Sequence, residues 1–126
     1  MNMALQYLAV GVAGFFGAIA RFAIGTLCAY CFGPGFPVGT MIINLSGSFF
    51  LGWFLTAAGN RFVVTDTLRI AIGVGFVGAY TTFSTLMFDS ASLARDGALL
   101  KAGFNLAGSM VLGMIAVWAG ITLACK

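Results

Sequence analysis

Charged side chains are almost absent from this sequence. Six of its 126 residues are basic, three are acidic and none is histidine, while 61% are hydrophobic. A soluble domain carries charge on about a quarter of its residues, whereas only 7% of this chain is charged. We therefore predict an integral membrane protein. Because a helix needs about 20 residues to cross a bilayer, the length accommodates four spans with short loops.

The same scarcity of charge excludes several functions. Without histidine, the chain lacks a residue of the Ser-His-Asp triad and of histidine-containing zinc sites. A net charge of +3, scattered along the chain, is not the clustered basic footprint of a nucleic-acid-binding protein. We expect no enzyme activity, no catalytic residues and no nucleic-acid partner.

Hydropathy and turn residues divide the chain into four predicted helices within a single domain, 1–126. Their predicted bounds are 4–30, 38–58, 67–93 and 99–124. The segment 33–37, Gly-Pro-Gly-Phe-Pro, ends the first helix because proline lacks an N–H donor and glycine readily adopts left-handed angles. Gly59-Asn60-Arg61 and Arg95-Asp96-Gly97 end the second and third helices in the same manner.

The distribution of Lys and Arg gives little information on orientation. Arg61, Arg69 and Lys126 fall on the side of the termini, and Arg95 and Lys101 fall on the opposite side. Cytoplasmic loops normally carry a clear excess of these residues. So weak a bias leaves two hypotheses open. The chain inserts in both orientations and pairs as an antiparallel homodimer, or the folding of the first helix selects one orientation.

Polar residues form rows on the second and fourth predicted helices. Thr40, Asn44 and Ser48 are four residues apart, as are Asn105 and Ser109, and side chains at this spacing share a helix face. An unsatisfied amide is costly in lipid. The rows therefore predict either hydrogen bonds between helices or a polar pathway. Ser48 by itself favours the first interpretation, and the two asparagines fit the second at least as well.

One arginine lies deep in the first predicted helix. Arg21 shares a row with the small residues Ala13, Gly17 and Gly25, which favour close helix packing. It lies about 6 Å from the centre of the span at a rise of ~1.5 Å per residue. An arginine at this depth snorkels to the interface, forms a pair or lines a watery vestibule. Both a snorkelling Arg21 and an inward-facing attractor of anions remain open.

The third predicted helix contains an unusual segment at mid-span. Residues 73–85 read GVGFVGAYTTFST, and glycine and threonine both weaken a helix. A broken helix is tolerated at membrane depth only where it is buried or lines a cavity, and its freed carbonyls can hold a cation. We expect a break here. The alternative is a straight helix whose hydroxyls bond to the preceding turn.

Three segments resemble the fluoride channels of the Fluc (CrcB) family. They are GFFGAIAR at 14–21, GTMIINLSGSF at 39–49 and GAYTTFST at 78–85, and the resemblance covers nearly the whole chain. It implies an all-α membrane protein with four transmembrane helices and a third helix broken at mid-span. It further implies an antiparallel, dual-topology homodimer in the inner membrane, with two pores that conduct fluoride passively and a central structural sodium ion.

The resemblance also implies roles for individual residues. The pore and fluoride residues would be Asn44, Phe83, Leu86, Ser84, Thr85, Asn105 and Ser109, the vestibule residue Arg21, and the sodium ligands the backbone carbonyls of Gly78 and Thr81. Phe83 matches the first of two pore phenylalanines, whose positive ring edges face the anion. Leu86 stands where the second ring is expected, and leucine offers no aromatic edge. The resemblance therefore implies slower permeation or a different second site.

Two other functions fit a small four-span chain. A dual-topology multidrug or cation exporter needs an acid within the membrane to exchange protons for cations. The first predicted helix contains Arg21 and no acid, which favours an anion. A non-transporting assembly protein or pore-lesion protein has no use for two aligned rows that contain asparagine. We therefore expect a fluoride-selective channel.

Overall fold

The computed structural model describes residues 2–126, and within them the fold is all-helical with no strand. Four helices are long and apolar enough to cross a membrane: Met3–Phe32, Val38–Asn60, Asp66–Arg95 and Leu99–Cys125. Each begins and ends within two residues of its predicted bounds. The prediction of an all-α, multi-pass membrane protein with four spans is confirmed.

Local chemistry sets the ends of the first helix. The Asn2 side chain accepts a hydrogen bond from the Leu5 N–H, which caps the helix N-terminus. At the other end Gly33 adopts a φ of 72° and donates its N–H to the Ala29 carbonyl, a left-handed ending that glycine permits at low cost. Gly97, with a φ of 82°, serves the turn between the third and fourth spans.

The third span consists of several segments. Asp66–Ile70 leads into a π-helical stretch, Ala71–Val77, and a short turn, Gly78–Tyr80. Thr81 and Thr82 then leave the helix, with φ/ψ angles of −79°/159° and −150°/113°, which are extended conformations. The helix Phe83–Arg95 follows, and the Thr82 hydroxyl caps it by accepting the Thr85 N–H at 3.2 Å.

The fourth span also contains a π-helical segment. Leu99–Gly103 leads into Phe104–Gly108, which is π-helical, and Ser109–Cys125 completes the span. Segments of this kind occur frequently at functional sites. Both π-helical segments precede residues of the expected pore.

Glycines allow the four spans to approach one another very closely. A Cβ at Gly120 would collide with the Phe49 carbonyl, and one at Gly17 would collide with the Phe76 carbonyl. A Cβ at Gly47 would collide with the Thr81 side chain. In lipid, close backbone contact is a main source of helix association. The contact of Gly47 with Thr81 holds the second helix directly against the extended residues of the third span.

Replacing Gly120 with alanine should therefore lower stability by about 1–3 kcal/mol, since the added methyl has no space beside a backbone carbonyl. Thermal unfolding in detergent measures the change. Gly11→Ala is the matched control, because nothing lies within 4 Å of that Cβ position and alanine favours helix. Equal melting temperatures for the two variants would contradict this packing.

Candidate functional site

Two cavities meet at Thr82. The larger, of about 760 Å³, lies between the first helix, the second helix and the C-terminal half of the third span. The smaller, of about 260 Å³, lies between the second helix, the extended residues and the fourth span. Thr82 lines both. The non-helical residues of the third span thus form the wall between two partly polar cavities.

The Asn44 side chain fixes that wall through two hydrogen bonds. Its Nδ2 donates to the Thr82 carbonyl at 2.9 Å, and its Oδ1 accepts the Thr82 N–H at 2.8 Å. A backbone N–H only donates and a carbonyl only accepts, so this pairing defines the orientation of the amide. Asn44 therefore satisfies backbone groups of Thr82 that would otherwise be exposed within the membrane.

Two carbonyls beside this pairing lack their usual helical donors. In a continuous helix the Thr82 N–H would donate to the Gly78 carbonyl four residues earlier, but here it donates to Asn44. Likewise the Thr85 N–H donates to the Thr82 hydroxyl rather than to the Thr81 carbonyl. Gly78 is exposed, and nothing lies within 4 Å of the position of its Cβ. Two carbonyl oxygens without their usual helical partners are suitable ligands for a small cation.

The larger cavity contains charges of both signs. Arg21, which is half-buried, lines it together with Thr85. Asp89 lies on the same cavity and accepts a hydrogen bond of 2.7 Å from the Thr40 hydroxyl. Asp96, which directly follows the third span, lines the cavity as well. The cavity is thus a wide vestibule lined by one cation, from the first helix, and by two acids. Arg21 lines this cavity, and both interpretations of its role, an inward-facing attractor of anions and a snorkelling side chain, stay predictions.

Most hydroxyls around the smaller cavity already donate their proton within the chain, and one does not. Ser48 donates to the Asn44 carbonyl at 2.7 Å, Thr81 to the Val77 carbonyl at 2.9 Å, and Thr82 to the Thr85 hydroxyl at 2.9 Å. Ser109 Oγ, by contrast, has no hydrogen-bond partner within residues 2–126. Ser109 is therefore the lining hydroxyl whose proton is available to a ligand.

Phe83 and Leu86 complete the wall of the smaller cavity. Phe83 is 68% exposed and Leu86 only 5%, so the aromatic ring projects from the chain whereas the leucine packs inside it. The edge of a phenyl ring is its electropositive part. The cavity thus offers a hydroxyl proton and an aromatic side chain, both of which can contact an anion without carrying a full charge.

Asn105 and Ser84 line neither cavity. Asn105 is fully buried, at 0% exposure, and its Nδ2 donates to Ser90 Oγ at 2.8 Å. Ser90 in turn donates to the Leu86 carbonyl at 2.7 Å. Ser84 is exposed, and its hydroxyl lies 3.4 Å from Thr82 Oγ1. Of the expected pore residues, five surround the cavities: Asn44, Phe83, Leu86, Thr85 and Ser109.

Sequence reasoning missed three participants in the site. Thr82 pairs with Asn44, Asp89 pairs with Thr40, and Ser90 pairs with Asn105. A signal existed for Asp89, because it is an acid inside a span and Thr40 belongs to a polar row. Ser90 follows Leu86 by four residues, a spacing that places both on one helix face. No sequence signal links Thr82 to Asn44, since 38 residues separate them.

Replacing Asn44 with leucine should destabilise the extended residues, since both Thr82 backbone groups lose their partner. Each bond contributes about 0.5–1.5 kcal/mol, so amide exchange at Thr82 should accelerate about tenfold or more. Hydrogen–deuterium exchange of the segment 78–85 measures this. Ser48→Ala, which removes only a bond within the second helix, serves as the control. Unchanged exchange in the leucine variant would refute the pairing.

Comparison with known proteins extends the match over almost the whole chain. Residues 8–121 match the family model described as CrcB-like protein, Camphor Resistance (CrcB). A protein of Vibrio campbellii named fluoride-specific ion channel FluC is 43% identical over 122 residues, which cover 97% of this chain and 94% of that protein.

Proteins of other bacteria are similar to this chain as well. One from Geobacillus kaustophilus, named fluoride-specific ion channel FluC 2, is 42% identical over 95% of this chain and 93% of its own length. Another from Chlorobium luteolum, named fluoride-specific ion channel FluC, is 40% identical over 98% of this chain and 95% of its own length. The family model and these relatives match nearly the whole chain, and the chain belongs to the CrcB family.

Proposed function

We propose that this protein is a fluoride channel, which lets fluoride leave the cell passively across the inner membrane. The names of its relatives support the ion, and one feature of the site carries the proposal. The uncommitted Ser109 hydroxyl lines a small cavity beside the exposed ring of Phe83. Fluoride is small and strongly hydrated, so a pore must replace its water with hydrogen-bond donors of this kind.

Entry into the pore begins in the larger cavity. Arg21 supplies a positive charge there, and a charged cleft raises the local concentration of counter-ions. Asp89 and Asp96 line the same cavity and oppose this effect, and the hydrogen bond that Asp89 accepts from the Thr40 hydroxyl leaves its negative charge in place. Arg21 is therefore proposed to attract the anion locally, in a vestibule that carries no excess of positive charge.

Passage continues at Thr82 and Asn44. One hydrogen of the Asn44 amide is used on the Thr82 carbonyl, and a primary amide carries two. Asn44, Ser109 and Phe83 all line the smaller cavity. The second amide hydrogen, the Ser109 hydroxyl and the electropositive ring edge are therefore proposed as neutral contacts for the ion. Conduction requires an ion to bind well enough to enter and weakly enough to leave. A set of neutral donors meets that requirement better than a fixed cation would.

Leu86 gives the cavity an aliphatic wall at the position of the expected second ring. Its side chain is 5% exposed, so it shapes the cavity and offers no donor. The second contact of the ion then falls to the hydroxyls, among which Ser109 and Thr85 lie on the two sides of Thr82. Ser84, Asn105 and Leu86 are accordingly proposed as supporting residues of the pore.

The cation exporter is not favoured. Although Asp89 places an acid on the vestibule, the relatives compared above are named for fluoride.

Fluoride efflux from liposomes tests the function. The purified protein should release fluoride when an ionophore compensates charge, as measured with a fluoride electrode, and absence of release would refute the proposal. Ser109→Ala should reduce the flux about tenfold, since a net hydrogen bond of up to about 1.5 kcal/mol is lost. Thr122→Ala is the matched control, because it removes a fourth-span hydroxyl that bonds only to the Trp118 carbonyl.

We also propose that two chains pair in opposite orientations and form two pores. The weak distribution of Lys and Arg supports this arrangement. Large apolar side chains such as Phe22, at 77% exposure, and Tyr30, at 90%, leave the single chain with ample surface for a partner and for lipid. The interruption at Thr81 and Thr82 is proposed to persist in this dimer as the functional break of the third span.

Membrane-impermeant labelling tests the orientation. A single reporter cysteine in place of Lys126, in a chain whose other three cysteines are changed to serine, should react with reagent on both sides of a sealed membrane. Adding two lysines to the loop at 61–65 should shift the labelling toward one side. Labelling from one side only in the parent chain would contradict the dual orientation.

A structural sodium ion is proposed at the carbonyls of Gly78 and Thr81. The Asn44–Thr82 pairing takes the usual donor from the Gly78 carbonyl, and the Thr82 hydroxyl takes the usual donor, the Thr85 N–H, from the Thr81 carbonyl. Neutral backbone oxygens suit Na⁺. When bound, the ion would supply a positive partner for carbonyl oxygens that have lost their helical donors.

Exchange of sodium for N-methylglucamine should lower the melting temperature, because the ion binds the folded state only. Thermal unfolding across a sodium series measures the shift. Asn44→Leu is expected to weaken this dependence, as it disturbs the residues that free both carbonyls. A melting temperature independent of sodium would exclude the site.

A further inference from the structure

Two buried polar atoms on the fourth span lack partners. Asn105 Oδ1 and Ser109 Oγ have no hydrogen bond within the described chain, and the two residues are 0% and 7% exposed. They are four residues apart, which places them one turn from each other on the same face. A buried polar atom without a partner is costly and rare. The pair therefore needs an explanation beyond packing.

The orientation of the Asn105 amide follows from its neighbour. Ser90 has a single hydroxyl proton, and it donates that proton to the Leu86 carbonyl. Ser90 can therefore only accept from Asn105, so Nδ2 faces Ser90 and Oδ1 faces away. The unpaired atom of Asn105 is an acceptor, which cannot bind an anion but can bind a hydroxyl proton.

Ser109 differs from several other hydroxyls within the spans because it donates no hydrogen bond in the part of the chain that the structure describes. Ser48, Ser90, Thr81 and Thr122 each donate to the carbonyl four residues earlier. Ser109 makes no such bond, although it follows directly on the π-helical segment Phe104–Gly108 that contains Asn105. The Ser109 hydroxyl thus makes no hydrogen bond to the backbone of the described residues. It lines the smaller cavity, and the Asn105 acceptor lies one turn away.

We propose that Asn105 is a positioning residue that competes with the permeating ion for the Ser109 proton. Within residues 2–126 the Ser109 hydroxyl bonds to neither Asn105 Oδ1 nor any other group. A rotation of its side chain brings the hydroxyl to Asn105 Oδ1 when the cavity is free of the ion, and back to the cavity when the ion arrives. The ion must then displace an internal hydrogen bond in order to bind. This weakens its binding and speeds its release, which is the balance that conduction needs.

The inference rests on the proposed fluoride conduction, and the concentration dependence of efflux tests it. Asn105→Leu removes the competing acceptor at nearly constant volume. The half-saturating fluoride concentration should fall about three- to tenfold, the effect of one net hydrogen bond, and maximal flux should fall because release is slower. Damage to the fold would lower the flux per sample without lowering the half-saturating concentration. Asn105→Ala, which removes the same acceptor, serves as a second variant for the same measurement.

A double-mutant cycle with Ser109→Ala tests whether the effect of Asn105→Leu acts through the Ser109 hydroxyl. Without the hydroxyl there is nothing to compete for, so Asn105→Leu should no longer shift half-saturation. An equal shift in both backgrounds, or none in the parent chain, would overturn the proposal. Absence of fluoride efflux from the unmutated protein would instead refute the proposed function itself.

Nuclear magnetic resonance on the unmutated protein supplies a test that requires no folded Asn105 variant. Fluoride titration should shift the side-chain carbonyl resonance of Asn105, because its hydrogen bond from Ser109 is lost as the ion binds. The shift should disappear in Ser109→Ala. A carbonyl resonance that does not respond to fluoride in the parent chain would contradict the competition.

Discussion

The two hydrogen bonds between the Asn44 amide and the backbone of Thr82 support most features of the site. A backbone that leaves its helix inside a membrane must find partners for its polar groups, and a side chain from a neighbouring helix provides them here. In doing so it releases the Gly78 carbonyl, separates two cavities and starts a new helix at Phe83.

This pairing is possible because the second helix lies close to the third span. Gly47 leaves space for the Thr81 side chain, and Gly52 and Gly120 bring the second and fourth spans into backbone contact. Lipid supplies little hydrophobic drive for association between helices, so close packing and interhelical hydrogen bonds replace it. The numerous glycines therefore determine distances across the bundle, and those distances bring Asn44 to Thr82 and Ser109 to the smaller cavity.

The polar groups at the smaller cavity are mostly satisfied within the chain. Ser48, Thr81 and Thr82 have already donated their protons, so a channel of this kind offers an ion few free donors. The small number of free donors has a physical reason. Each additional free donor would deepen the binding well, and a deep well stops conduction. The arrangement of Ser109 beside an unpaired acceptor on Asn105 extends the same principle.

The sequence by itself determined the four spans, their bounds and the loops between them, because these depend on composition and on local turn residues such as Gly33. It also singled out Asn44, Ser109 and Arg21 through their spacing and depth. Only the tertiary structure decided the partners. Asn44 meets a residue 38 positions away and Asn105 one 15 positions away, and Asn105 turns from the cavity although it shares a row with Ser109. A periodicity defines a helix face, but the neighbour that this face meets depends on how the glycine contacts pack the helices.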